Sequence, residues 1–339
     1  MKKIYIASML SLFIGKFSAQ QDKNMSVWYY SPVMYNPACV ATGDEDFSFT
    51  TNARSQWLTI PEAGLGLRTN TLNGEFKIPD GFRGSNNFGI GINAMNDQTG
   101  SASLMTTSVS VPINYSLALD RNNKVSVGIA PGFYSQSVNR NNQKWESEWN
   151  GTSFVPSTNT ELGMNNSYAS IDLGAGVFYQ HLTKNKTRFY GGLALNHITH
   201  HKINFSFTAD RIYMQSVLNA GADITTLKRD LRIQPQILFF KAGTANNLVL
   251  GVTMEHILKQ PSEITTINKT TCVNYGFYYR NKDALITTLG FKVKGVRFGL
   301  AFDANLSYLS QASSSIGAVE VYFRAMGLYK KSSSRTKLK

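Results

Sequence analysis

Acidic residues, cysteine and long apolar runs are all scarce in this chain of 339 residues. Charged types make up 16%, low for a soluble domain, and Lys+Arg 34 against Asp+Glu 21 gives a formal net charge of +13. With 42% hydrophobic residues, that balance excludes an acidic or polar disordered chain. Two cysteines, Cys39 and Cys272, cannot make a disulfide framework, and no C-x-x-C or Cys/His zinc spacing occurs. Structural zinc is thereby excluded, while a single disulfide stays open. No Gly-x-Ser-x-Gly marks a lipase nucleophile, and Glu146 and Glu148 read as a charge cluster before acid/base machinery. His197-x-x-His200-His201 approaches metal-like spacing but has no carboxylate near it in sequence, so no metal, cofactor or enzymatic activity is expected. The basic surplus comes without a nucleic-acid motif, and nucleic acid is not an expected partner.

The chain begins as a secretory signal does. Lys2 and Lys3 precede the apolar run Ile4 to Ile14, then small Ser18 and Ala19, then polar Gln20 to Asn24. Cleavage is expected after Ala19. The run is too short to span a bilayer, and no cysteine follows it to take a lipid. Removing 1–19 takes three lysines and no acid from the +13, leaving +10 on a protein exported from the cytoplasm.

Beyond that point no segment approaches the ~20 apolar residues of a membrane helix, but alternation is everywhere. Met105, Thr107, Val109, Val111, Ile113, Tyr115, Leu117 and Leu119 alternate with polar or small residues as one long strand with a greasy face and a wet one. The segments 125–133, 169–179 and 296–306 repeat the pattern. Strands of such length exceed the usual ~5–6 residues of globular sheets and suit an outer-membrane barrel. Short connections near 120–124, 183–187, 227–230 and 293–295 against long ones at 140–166, 199–208 and 307–315 suggest tight turns at one end and loops at the other. The expected fold is therefore an all-β, transmembrane antiparallel barrel of about 14 strands over 46–326, preceded by a segment 20–45 and followed by a basic periplasmic tail 327–339. A soluble β-sandwich is the competing architecture.

If greasy faces meet outer-membrane lipid, parity turns Asn52, Arg54, Gln56, Asn274, Tyr278, Arg280, Arg297, Asp303, Asn305, Glu320, Tyr322 and Arg324 inward. Both signs of charge then line the lumen, as paired groups bracing a filled interior would. Residues 20–45, with Trp28, Tyr29, Tyr30, Tyr35, Pro32 and Pro37, are too aromatic for a solvated tail and too broken by proline for a helix or strand. This segment is expected to plug the lumen; the alternative lays it against the barrel base. The loop 140–166 carries Trp145, Glu146, Glu148, Trp149 and Phe154, which either grip a cargo domain or fold over the mouth as a lid. Cations at the turns and in the tail, Lys330, Lys331, Arg335, Lys337 and Lys339, form a patch for an acidic periplasmic partner or lipid phosphates, or are simply solvated.

Several ordered motifs resemble one family. They are Met34-Tyr35-Asn36-Pro37-Ala38, Arg54-x-Gln56-Trp57, Gly89-Ile90-Gly91 with Asn96 to Gly100, and His197 after Gly191 to Leu195. Near the end come Tyr279-Arg280-x-x-Asp283-Ala284-Leu285-Ile286, Gly290-Phe291, Phe302-Asp303 with Ser307, and Gly317-x-x-Glu320. In this order and spacing they resemble the PorP/SprF family of type IX secretion proteins from about Gln21 to Arg324. Val319 departs from the family, which often has an aromatic or His before the final Glu. The resemblance implies an outer-membrane component of the type IX secretion or gliding machinery. It would anchor or help export a cargo protein with a type IX C-terminal signal domain, sometimes a gliding adhesin, and touch other type IX components. The other class of function left by the residues is a channel or transporter for small or apolar molecules.

Overall fold

A computed structural model of the chain describes residues 24–57, 59, 67–79, 86–100, 104–139, 148–153, 155, 166–200, 202–203, 210–226, 230–259, 270–307, 310 and 313–329. The wall opens with β1 (Phe47–Gln56), β2 (Leu67–Pro79), β3 (Asn87–Thr99), β4 (Leu104–Ser110), β5 (Ile113–Ala118), β6 (Asn123–Ser137), β7 (Ser167–Leu182) and β8 (Arg188–Asn196). A small ribbon, β9 (Lys202–Ile203) with β10 (Asp210–Arg211), stands apart from it. The wall resumes with β11 (Gln215–Thr225), β12 (Leu231–Ala242), β13 (Ala245–Lys259), β14 (Thr271–Arg280), β15 (Ala284–Val293), β16 (Val296–Asn305) and β17 (Ile316–Gly327).

Each strand pairs antiparallel with its neighbours, and β1 pairs with β2 on one side and β17 on the other. The sheet is thereby closed, which excludes a sandwich and leaves no open edge. β4 and β5 share the neighbours β3 and β6 and count as one wall position, so the barrel has fourteen. The long strand expected from Met105 to Leu119 is thus split. Pro112 has no N–H to give the ladder, though Gly91 N still donates to Pro112 O at 2.8 Å and Val111 N to Pro131 O at 2.9 Å. Side-chain parity survives the break: Val111 and Ile113 are exposed, Pro112 and Asn114 buried.

The arrangement of polarity is inverted relative to a soluble domain. Phe49, Ile92, Ile129, Leu193, Leu289 and Leu300 are exposed on the outside, whereas Asn52, Arg54, Glu255, Arg280, Asp303 and Glu320 are buried within. Apart from the split pair β4 and β5, the wall strands run from 9 to 16 residues and cover the ~9–11 residues a tilted strand needs to cross a hydrocarbon layer. The connections are less segregated than expected. The end bearing Phe47 and Gly327 has short turns at 119–122, 183–187 and 294–295 but also the stretch 260–270; the other end has 138–166 and 197–214 but also two tight reversals, 243–244 and 281–283. At 294–295 both Lys294 (φ 50) and Gly295 (φ 89) are left-handed, the conformation a two-residue hairpin takes to match strand twist.

Leu300 tests the outward parity of β16. Leu300→Arg should cost about 2–4 kcal/mol in unfolding from lipid vesicles, the penalty of a cation on the lipid face near mid-membrane. A variant as stable as the parent would put this face of β16 elsewhere.

Candidate functional site

From Met25 to Ala41 the chain is almost continuously buried. Its prolines fragment it into three single turns of 3-10 helix: Trp28–Tyr30, Pro32–Met34 and Pro37–Cys39. Pro32 and Pro37 each open a turn, where a missing N–H costs nothing. Asn36 caps the last, accepting from Ala38 N at 3.0 Å through Oδ1, while its Nδ2 donates to Val177 O at 3.1 Å and Asn219 Oδ1 at 3.0 Å. Peptide carbonyls left over by such short turns find inward-facing amides of the wall. Asn93 Nδ2 donates to Val33 O at 3.2 Å, Asn196 Nδ2 to Tyr35 O at 2.9 Å, and Asn114 Nδ2 to both Ala38 O and Val40 O, at 2.8 and 2.7 Å. These partners come from β3, β5, β7, β8 and β11. Where the approach is closest the wall has glycine: a Cβ on Gly128 would lie 2.7 Å from the Ala38 backbone.

Charge concentrates at the start of this segment. Ser26 N donates to Glu320 Oε2 at 2.6 Å, and Val27 N and Asn52 Nδ2 reach Glu320 Oε1 at 3.3 and 2.8 Å. Ser26 Oγ donates to Asp303 Oδ1 at 2.6 Å and accepts from Arg280 Nη2 at 3.2 Å and from Arg54. Arg54 and Arg280 share Asp303 Oδ2, at 2.8 and 3.0 Å. Glu320 lies 3.6 Å from Arg54, and the half-exposed Asp283 lies 3.1 Å from Arg280. Two buried cations therefore meet two buried anions, with two backbone N–H groups and one hydroxyl of the N-terminal segment added to their shells, while Arg280 Nε is left without a hydrogen bond among the described residues.

Aromatics carry the segment onward. Tyr29 stacks on Tyr278 at 5.1 Å and donates to Thr288 Oγ1 at 3.2 Å; Tyr30 lies 5.1 Å from Tyr322 and under the Arg297 guanidinium, 4.5 Å from its ring centroid. Arg297 is bonded to Tyr30 Oη and to Glu255, and Arg324 Nη1 donates to Tyr30 O at 2.8 Å. Burial pushes the Tyr35 hydroxyl up to about 12, so it stays neutral, and its oxygen accepts from Met25 N at 3.2 Å. It also pushes the Cys39 thiol well up. Cys39 and Cys272 are both free, so the disulfide left open by the sequence is not formed.

Of the residues singled out by parity and motif, the interior brings together Arg54, Arg280, Asp283, Asp303 and Glu320 in one network, Arg297 in a second, and Asn36 and Pro37 against β7 and β11. Tyr35 stacks on Phe240 at 6.3 Å, and Gln56 ends β1 half-buried. Glu148 is buried and Trp149 half-exposed, while Trp145, Glu146 and Phe154 lie outside the described residues. So do residues 1–19, Lys330, Lys331, Arg335, Lys337 and Lys339. Of the histidines, His197 lies 2.8 Å from Asp172 across the wall, and His201 is outside the described residues. Ser26, Glu255 and Asn114 were not singled out. Glu255 announces itself only as a lone acid at an inward position between Met254 and His256.

The model of the type IX secretion system membrane protein family PorP/SprF matches residues 17–324. The chain belongs to that family. It is accordingly an outer-membrane component of type IX secretion, working with other components of that system, and its family and fold are those of a secretion barrel rather than an enzyme class. No curated protein matches the chain. Among solved structures, the CymD monoaromatic hydrocarbon channel is similar with TM-score 0.47 at 10% identity, over 88% of this chain and 92% of that one. The P. putida toluene transporter TodX gives 0.45 at 10% identity over 87% and 93%, and CdiB from Acinetobacter baumannii 0.43 at 8% over 82% and 59%.

Asp303→Ala removes the carboxylate shared by two buried guanidinium groups and should cost about 3–5 kcal/mol, read as a lower gel-shift unfolding temperature. An unchanged temperature would contradict the network. A pH effect is expected just outside the wall at Glu45. Burial opposes its ionisation, but Arg324, the Glu45 backbone N–H, Lys292 and Arg297 prevail and hold its carboxyl down at about 2. A depressed value means stabilisation that is complete above the ordinary 4.5 and lost as pH falls through about 2. The stability gap between the protein and Glu45→Gln should therefore be full at neutral pH and close across that window; a gap that persisted below it would exclude the ion pair as its cause.

Proposed function

We propose that this PorP/SprF protein is a holder rather than a conduit. Its own N-terminal segment plugs the lumen, and the barrel retains at the cell surface a cargo protein bearing a type IX C-terminal signal domain. The observation that carries this reading is the hydrogen bonding of residues 25–41 to inward side chains from β1, β2, β3, β5, β8, β11, β16 and β17. A transport path would have to break many of these buried bonds at once, each costly to leave unmade in a low-dielectric interior. Family membership supports the secretion system as the setting, and the loop 140–166 with Trp145, Glu146, Trp149 and Phe154 is the segment we assign to cargo contact, the buried Glu148 being left out of that surface. The end with both wall termini, including the tail from Lys330 to Lys339, faces the periplasmic apparatus in this reading, as even-stranded bacterial barrels do.

Purification of the tagged barrel from its native outer membrane in mild detergent, followed by mass spectrometry after extensive washing, should recover a large secreted protein joined through its C-terminal domain. The same preparation should show no steady unit conductance in planar bilayers. Recovery of the barrel alone together with unit conductance would overturn the holder reading in favour of a channel.

A further inference from the structure

The mouth at the end bearing Phe47 and Gly327 contains a cavity of about 300 Å³. Arg121, Lys124, Lys186, Arg188 and Arg232 line it against Asp44, Asp120 and Asp223, leaving a surplus of two positive charges. Lys124, Arg188 and Arg232 share strand parity with the inward, buried Ser126, Ala194 and Gln236, so the cavity opens into the lumen mouth and not onto the lipid-facing surface.

Part of this rim already holds an acidic strand of the chain itself. In the linker from the N-terminal segment to β1, Asp44 lies 2.9 Å from Arg188, Glu45 lies 3.9 Å from Arg324, and Asp46 Oδ2 accepts from Tyr329 N at 2.8 Å. Lys77 Nζ adds a bond to Gly43 O at 2.6 Å. Beside Asp44, Arg121 and Lys186 are exposed and their side chains have no ion pair among the described residues. Both stand on fixed turns. Asp120 Oδ1 accepts from Asn122 N and Asn123 N at 2.6 and 2.8 Å, and the 183–187 turn is closed by Thr183 N to Thr187 O at 2.8 Å.

We propose that this mouth binds an acidic peptide segment of a partner protein, its carboxylates seated on Arg121 and Lys186 next to the Asp44–Arg188 pair. The chemistry copies the contacts that Asp44 already makes with Arg188 and Glu45 with Arg324. A lipid phosphate is the weaker occupant because headgroups meet a barrel from outside, whereas Arg121 and Lys186 line one cavity with the inward-parity Lys124, Arg188 and Arg232. The site goes beyond the holder reading and stands whether or not cargo is retained at the other end.

The test uses the full mature barrel in detergent and a fluorescent twelve-residue Asp/Glu peptide, followed by anisotropy at low and at physiological salt. The peptide should bind, an Asn/Gln peptide of equal length should not, and added salt should weaken binding. Arg121→Ser/Lys186→Ser should bind about tenfold more weakly, while Lys241→Ser/Lys282→Ser, the same charge loss at the opposite end, should bind as the parent does. Retained heat-modifiability on gels confirms that both double variants are folded. Absence of peptide binding by the parent, or equal weakening in both double variants, would overturn the proposal. So would a loss confined to phosphatidylglycerol vesicles, which would assign the cations to lipid.

Discussion

Two buried guanidinium groups sharing one carboxylate are the constraint from which the interior follows. Arg54 and Arg280 converge on Asp303, with Glu320 beside them, and none of the four is significantly exposed. Charges taken out of water need a close counter-charge and further hydrogen bonds to offset the lost hydration, and removing one member leaves a cost larger than the pair's own worth. Strands alone do not complete the set. The missing pieces are Ser26, whose hydroxyl lies among both arginines and Asp303, and the Ser26 and Val27 amides on Glu320. Wall and N-terminal segment therefore share one hydrogen-bond network.

Such an interior is the counterpart of the outside. With most Leu, Ile and Phe on the outward face, the apolar part of the interior is a small cluster in which the segment's aromatics meet Tyr278, Tyr322, Phe240, Leu238, Val249 and Ile286. Directional bonds from wall asparagines then do what shape complementarity does in a soluble core. Asn93, Asn114, Asn196 and Asn219 each hold a turn of the segment, and Gly128 lets the backbone come close.

Strand parity was legible because it depends only on the sequence neighbours of each residue. Arg54, Arg280, Arg297, Asp303 and Glu320 all lie on the inward side that alternation assigned to them. Which of them meet was not legible, since Arg54 faces Glu320 only after β1 closes on β17, a pairing between opposite ends of the chain. Ser26 carries no pattern at all: a serine in an irregular segment acquires meaning only when folding places it between two arginines. The contrast between turns and loops holds for the connections that composition marked, all of them at the expected end, and breaks down at 243–244, 281–283 and 260–270, which it had not marked. Pro112 was readable as a residue but not as a break, because side-chain alternation runs through it unchanged.

The central claim is that the N-terminal segment is seated inside the wall by its bonds to Glu320 and Asp303. Hydrogen exchange of the intact barrel in nanodiscs, resolved to the amides of Ser26 and Val27, tests it most directly. The account predicts that both amides, and most from Trp28 to Val40, exchange as slowly as the strands β16 and β17. Exchange at the rate of a free peptide would contradict it.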